Sequence, residues 1–177
     1  MNRFNIIGKM LQLNTDEDNC TMILQTDDGN VELVIHRDVS TYNIYQGDVL
    51  VVEGCLASDL SEPKCARLIA TNCIAINSEA EAHRCKHTAE IVLSGIIQSV
   101  KAGTIVVYDD EMVQVIATHI PSDYLPDAEM MLEPKQIARL KLSASYNEHL
   151  GGNVLTIKQM DIIMQQQITH NMEQSHG

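Results

Sequence analysis

Arg139 and Lys141 alternate with Leu140 and Leu142 in the segment ARLKLSAS at 138–145. A strand turns successive side chains to opposite faces, so this spacing sends both cations to one side and the leucines to the other. Lys158 alternates with Ile157 in the same way within 153–164 (NVLTIKQMDIIM). If the two segments pair, the three cations form a basic strip suited to tracking phosphates. The competing reading is a solvated strand face whose charges discourage edge pairing. Tyr42 and Tyr45 stand just before Gly47, close in sequence to His36 and Arg37. They either offer flat faces for stacking beside a small cationic patch or pack their rings on the core with only the hydroxyls wet.

Two other groups have ligand or acid–base types at suggestive spacing. His83, Cys85 and His87 form an H-x-C-x-H string, which on an extended chain turns three zinc-ligand types to one side, with Cys65 and Cys73 upstream. Structural zinc sites prefer paired knuckles, however, and no second one exists. A flexible basic linker is the expectation. The paired carboxylates Asp27–Asp28 and Asp109–Asp110 fall where hairpin tips are expected, and there Asp is favoured because its side chain satisfies turn backbone. No phosphate-binding glycine loop, serine elbow or zinc-protease signature occurs. No catalytic residue, metal or cofactor is expected. The five cysteines form no C-x-x-C pair, and Cys20, Cys55 and Cys73 sit in apolar runs where a thiol acts as a small hydrophobe.

The elements that must position these groups are short strands. In the first half they lie at 5–13, 21–26, 31–35, 48–56 and 68–76, with DDGN at 27–30 as a hairpin signal and a short helical turn expected within 38–46. The second half repeats the order at 90–100, 104–108, 112–117, 138–145 and 153–164. Gly95 in its long first strand matches Gly8, and IVVYDDEMVQV at 105–115 aligns with ILQTDDGNVEL at 23–33. Five strands with a variable connection between the third and fourth is the order of the OB-fold, a Greek-key barrel. An internal glycine suits a first strand that must bend to serve both sides of a small barrel. The expected fold is all-β with short helices: two tandem five-stranded OB barrels, at 1–77 and 89–165. A polar linker at 78–88 and a flexible tail at 166–177 complete the division. Met160, Met164 and Met172 near that end offer an adaptable partner surface or simply fray.

Composition sets the limits. Hydrophobic residues make up 45% of the 177, enough for a packed core despite a net charge of −12. Acidic residues outnumber basic ones 11 to 5 in 1–77 and 13 to 7 in the remainder, so the deficit is not confined to a tail. A phosphate-binding domain should carry a basic stripe, so patch geometry matters more here than the total. No apolar run approaches the roughly 20 residues of a membrane span, and the N-terminus lacks a leader pattern. A cytoplasmic protein with no membrane partner is expected.

Two segments resemble one family. NRFNIIGKM at 2–10 is similar to the opening strand of bacterial single-stranded DNA-binding proteins, and QGDVLVVEGCL at 46–56 to their fourth strand. The resemblance implies sequence-tolerant binding of single-stranded DNA in replication or in transfer of a mobile element. Arg3, Lys9, Arg37, Arg67, Arg139, Lys141 and Lys158 would meet phosphates, with His36 in the patch beside Arg37. Tyr42 and Tyr45 would replace the family's stacking Trp and Phe residues, since Trp is absent and Phe4 is the only Phe. Cys55 stands where a basic residue is usual, and the family's acidic, Phe-ended tail is absent. Replication or transfer proteins would be partners, and a homodimer would match the family's four OB units per assembly. The alternative is an OB module for protein interaction that has lost most nucleic-acid binding.

Overall fold

A computed structural model describes residues 1–58, 64–101, 103–111, 113–118 and 136–163. The connection at 119–135, the expected flexible tail at 166–177, and Met164 and Met172 lie outside these. The first half forms β1 (Asn2–Thr15), β2 (Cys20–Thr26), β3 (Gly29–Ile35), β4 (Val49–Ser58) and β5 (Ala66–Ala75). A short helix α1 (Glu79–Arg84) follows. The second half forms β6 (Ala89–Lys101), β7 (Thr104–Tyr108), β8 (Gln114–Thr118), β9 (Ile137–Asn147) and β10 (Gly152–Ile163). The described residues are thus mostly β-strand with one short helix.

Strand pairing in the first half runs β1–β2–β3–β5–β4 and returns to β1, all antiparallel except β3–β5. The second half runs β6–β7–β8–β10–β9 and returns to β6, with β8–β10 the parallel pair. The two orders agree in register as well. The first strand shifts at Leu11 in one half and Gln98 in the other, and the fifth at Thr71 and Lys158; each pair of positions is 87 residues apart. Gly8 and Gly95 keep that spacing. A Cβ on Gly95 would meet the Tyr108 carbonyl oxygen at 2.1 Å, and one on Gly8 the Gln25 carbonyl at 2.8 Å. The glycines are therefore needed for close backbone approach at the bend, where the first strand exchanges its fourth-strand neighbour for its second-strand one.

One expected correspondence slips. By register, Tyr108 matches Gln25 and Val106 matches Ile23, so the second strands are offset by 83 residues and not by the 82 that aligning the aspartate pairs demands. Asp109 thus takes the place of Thr26, and both are buried polar residues at the end of the second strand. A one-residue slip would turn the strand's apolar face outward, so the core fixes the register and the aspartates yield.

The halves join through their first strands. Asn2, Phe4 and Ile6 pair with Leu93, Ile91 and Ala89. Residue 4 faces 91, its own counterpart at a spacing of 87, and so do Ala66 and Asn153, the one pair linking β5 to β10. Self-facing pairs of this kind define an internal two-fold arrangement, isologous in the sense of a symmetric dimer. Buried residues of both halves form one continuous apolar cluster across this junction. Polar clamps flank it. Asn153 accepts from the Glu32 N–H (2.9 Å) and donates to the Glu32 carbonyl (2.7 Å). Asn2 donates to the Leu56 carbonyl (3.0 Å) and to Asp109 Oδ2 (2.8 Å).

Two local expectations are corrected. Residues 36–48 form no helix. Successive i→i+3 turns carry them, with Val39, Ile44 and Asp48 N–H donating to the His36, Thr41 and Tyr45 carbonyls. Ser40, Thr41 and Asn43 are poor helix formers whose side chains compete for backbone. The segment read as a flexible linker instead holds α1, capped by Ser78, whose hydroxyl accepts from the Glu81 N–H, with Glu79 and Glu81 favourable in the first turn.

Gly95→Ala should lower stability by about 2–3 kcal/mol, the scale of a steric insertion into a packed site. Gly8→Ala, with its looser contact, should lose less. Urea midpoints of the two variants check the order.

Candidate nucleic-acid interface

Inward residues of β9 (Ala138, Leu140, Leu142) are buried while Arg139 and Lys141 are exposed, so alternation does place the two cations on one outer face. Register identifies their neighbours. Ile163, Ile137, Ile96 and Tyr108 stand opposite one another in turn across β10, β9, β6 and β7. They make an apolar row in which Ile163 and Ile96 are about half exposed, at 50% and 49%. Arg139 lies two residues along β9, between Asp161 and Ser94. Another step along, Gln159, Lys141, Val92 and Arg3 follow across β10, β9, β6 and β1. Outward residues two apart on a strand are separated by about 6.7 Å. The face therefore carries an apolar lane with one aromatic ring, then Arg139 in the next row, then a cation lane in the row beyond, where Lys141 and Arg3 flank the buried Val92. No carboxylate lies within 4 Å of Arg3, Arg139 or Lys141 among the described residues, and Asp161 Oδ2 instead accepts from Gln159 Nε2 at 3.5 Å.

The structure divides the remaining sequence-chosen residues. Lys158, at the bulge, turns to Asp28 of the first half at 3.9 Å and leaves the strip. The bulge breaks its alternation with Ile157, which the sequence does not announce. His36, Arg37 and Arg67 share a cleft of about 420 Å³ with Asp16, Glu17 and Asp18 of the β1–β2 turn. His36 also contacts Asp38 at 3.4 Å. Lys9 is exposed on β1. Tyr42 and Tyr45 are 87% and 65% exposed, so their rings do not pack on the core as one reading had it. They lie on the turns before β4, apart from the cation lane. Tyr108 and Ile96 were not singled out from the sequence. The available signal was the alternation in TIVVY, where buried Ile105 and Val107 set Tyr108 outward.

The other groups resolve into structure. His83 lies within α1 and Cys85 is its C-cap, so the extended string that would have converged three ligands is not formed. Among the described residues, no group of three or more His, Cys, Asp or Glu side chains is placed to hold a metal. Asp109 is a turn residue, its Oδ1 accepting from the Glu111 (2.9 Å) and Val113 (2.8 Å) N–H groups. Burial pushes the Cys73 thiol up to about 11. Burial, with Glu111 and Asp109 nearby, raises Cys55 as well. Both shifts oppose the thiolate that a nucleophilic cysteine needs. Alkylation of Cys73 should thus keep accelerating toward about pH 11. A rate that levels off near pH 8.5 in peptide mapping would contradict its burial.

No protein-family model and no curated protein matches this chain. Among solved structures it is similar to a Drosophila Unr fragment, CSD456, at 14% identity and a TM-score of 0.30, covering 92% of this chain and 62% of that one. It is also similar to a replication protein A heterotrimer bound to single-stranded DNA, at 11% identity and a TM-score of 0.33, covering 99% of this chain and 52% of that one. Similarity to tetrameric p202 HIN2 has 10% identity and a TM-score of 0.34, covering 93% and 97%. The chain thus spans between half and two thirds of the length of the first two. These likenesses are distant, and the pairing order and surface described above stand without them. None of the described helices is long and apolar enough to cross a membrane.

Proposed function

We propose that this chain is a tandem pair of OB-fold barrels that binds single-stranded DNA with little sequence preference, on the outer face of β6, β7, β9 and β10. The observation that carries the reading is that the Tyr108–Ile96–Ile137–Ile163 lane shares one face with Arg139 in the next row and with Lys141 and Arg3 in the row beyond. Single-strand binders combine a backbone-tracking cationic groove with surfaces on which bases stack, the latter contributing about 1–3 kcal/mol per base. Bases laid over the apolar lane would place the sugar–phosphate backbone over the cation lane, and no hydrogen-bonding code along the row would select a sequence. The paired rings of strands and the resemblance of 2–10 and 46–56 to bacterial single-stranded DNA-binding proteins support the same reading. Replication or transfer of a mobile element is the process it would serve.

A protein-interaction role has its own support in the net charge of −12 and in Tyr42 and Tyr45, which stand exposed away from the cation lane. Fluorescence anisotropy of labelled oligo-dT separates the two. DNA binding predicts saturable curves that weaken with salt by roughly 0.7 log units per log unit of salt for each phosphate contacted. Arg139→Ala with Lys141→Ala should weaken binding about tenfold or more and flatten that salt slope by about 1.4. Flat curves at low salt would leave the interaction role, and preference for oligo-U would redirect the assignment to RNA.

A further inference from the structure

The internal two-fold gives every position on the second half's face a counterpart in the first. Arg139 corresponds to Val51, Lys141 to Glu53, Tyr108 to Gln25 and Ile96 to Lys9, each fixed by matching register. The operation also maps Val92 on Asn5 and Arg3 on Glu90. The cation lane Lys141–Val92–Arg3 therefore has as its image Glu53–Asn5–Glu90, the row immediately beside it on the same continuous face. Both rows border a cleft of about 490 Å³ that Arg3, Glu53, Glu90 and Val92 line at the junction of the halves. Symmetry of the backbone is kept, and the sign of the charge is inverted.

We infer that the single strand is confined to the second half, and that Glu53 and Glu90 are the residues that fence it out of the first. This rests on the proposed function and specifies its extent. A strand lying over Arg139, Lys141 and Arg3 that continued across the two-fold would bring its phosphates over two carboxylates, where like charge raises the local potential against it. The first half does not repeat the lane at the matching positions. Its ring position matching Tyr108 is Gln25, and its clustered cations Arg37 and Arg67 share their cleft with three carboxylates. The chain would then bind one short stretch, within the range of roughly 4–16 nucleotides for a single OB unit, although its strands build two such units.

The test uses the full chain with oligo-dT of increasing length, read by anisotropy and by stoichiometric titration at low salt. Wild-type affinity should stop rising at the length one unit spans. Arg37→Ala with Arg67→Ala should bind as wild type does. Glu53→Lys with Glu90→Lys should tighten binding to long oligonucleotides about tenfold and lengthen the occluded site. Glu53→Gln with Glu90→Gln should fall between, with unchanged circular dichroism confirming the fold. A wild-type site already spanning two units, loss of binding in the Arg37/Arg67 variant, or no gain in the lysine variant would overturn the inference while leaving DNA binding intact. No binding by wild type at any length would overturn the function reading and this one together.

Discussion

Everything in this protein hangs on the antiparallel ladder between the first strands of its halves. Phe4 and Ile91 face each other at its centre, and the register of that ladder relates the halves by an internal two-fold. The ladder commits the front of β1 and β6 to each other, so each strand must bend to reach its own second strand. Gly8 and Gly95 permit that bend where any side chain would strike a neighbouring carbonyl. The ten strands consequently form one hydrogen-bonded sheet over one core.

The same ladder creates the surface on which the functional reading rests. Arg3 shares a row with Lys141, across Val92, only because β1 and β9 both flank β6. The second half alone would carry two cations on β9, whereas joining the halves brings a third from β1. A chain with twice as many acidic as basic residues can thereby hold a local positive lane. Among the described residues, many carboxylates gather at turns, in the cleft with Arg37 and Arg67, and along the row of Glu53 and Glu90, while Asp161 stands opposite Arg139. Total charge says little about such a face, since screening in ordinary salt limits exposed charges to a reach of about 10 Å.

Buried polar side chains hold the junction and its turns. Asp109 is buried with both oxygens engaged, one by turn N–H groups and one by Asn2. Asn153 meets the Glu32 backbone from the other half. A buried polar group left unpaired costs about 1–3 kcal/mol, so such residues are held to one geometry. Among the described residues no buried side-chain nitrogen or oxygen lacks a partner.

The sequence by itself determined the strands, their order, the repeat and the direction of Arg139 and Lys141. All of these follow from local periodicity, turn residues and the need to bury one face of each strand. Local rules also explain the misjudged pieces. The aspartate pairs align by eye, but the core sets β7 one residue away. A polar segment reads as linker, yet its Ser78 cap and acidic first turn make a helix. Only the tertiary structure decided that Lys158 leaves the strip for Asp28, that Tyr108 and Ile96 share its face, and that Arg3 joins the row of Lys141 with Glu53 and Glu90 as their images. Those relations depend on which strands become neighbours and at what register. Such long-range pairing is set by the summed packing of the whole core, which no window of sequence contains.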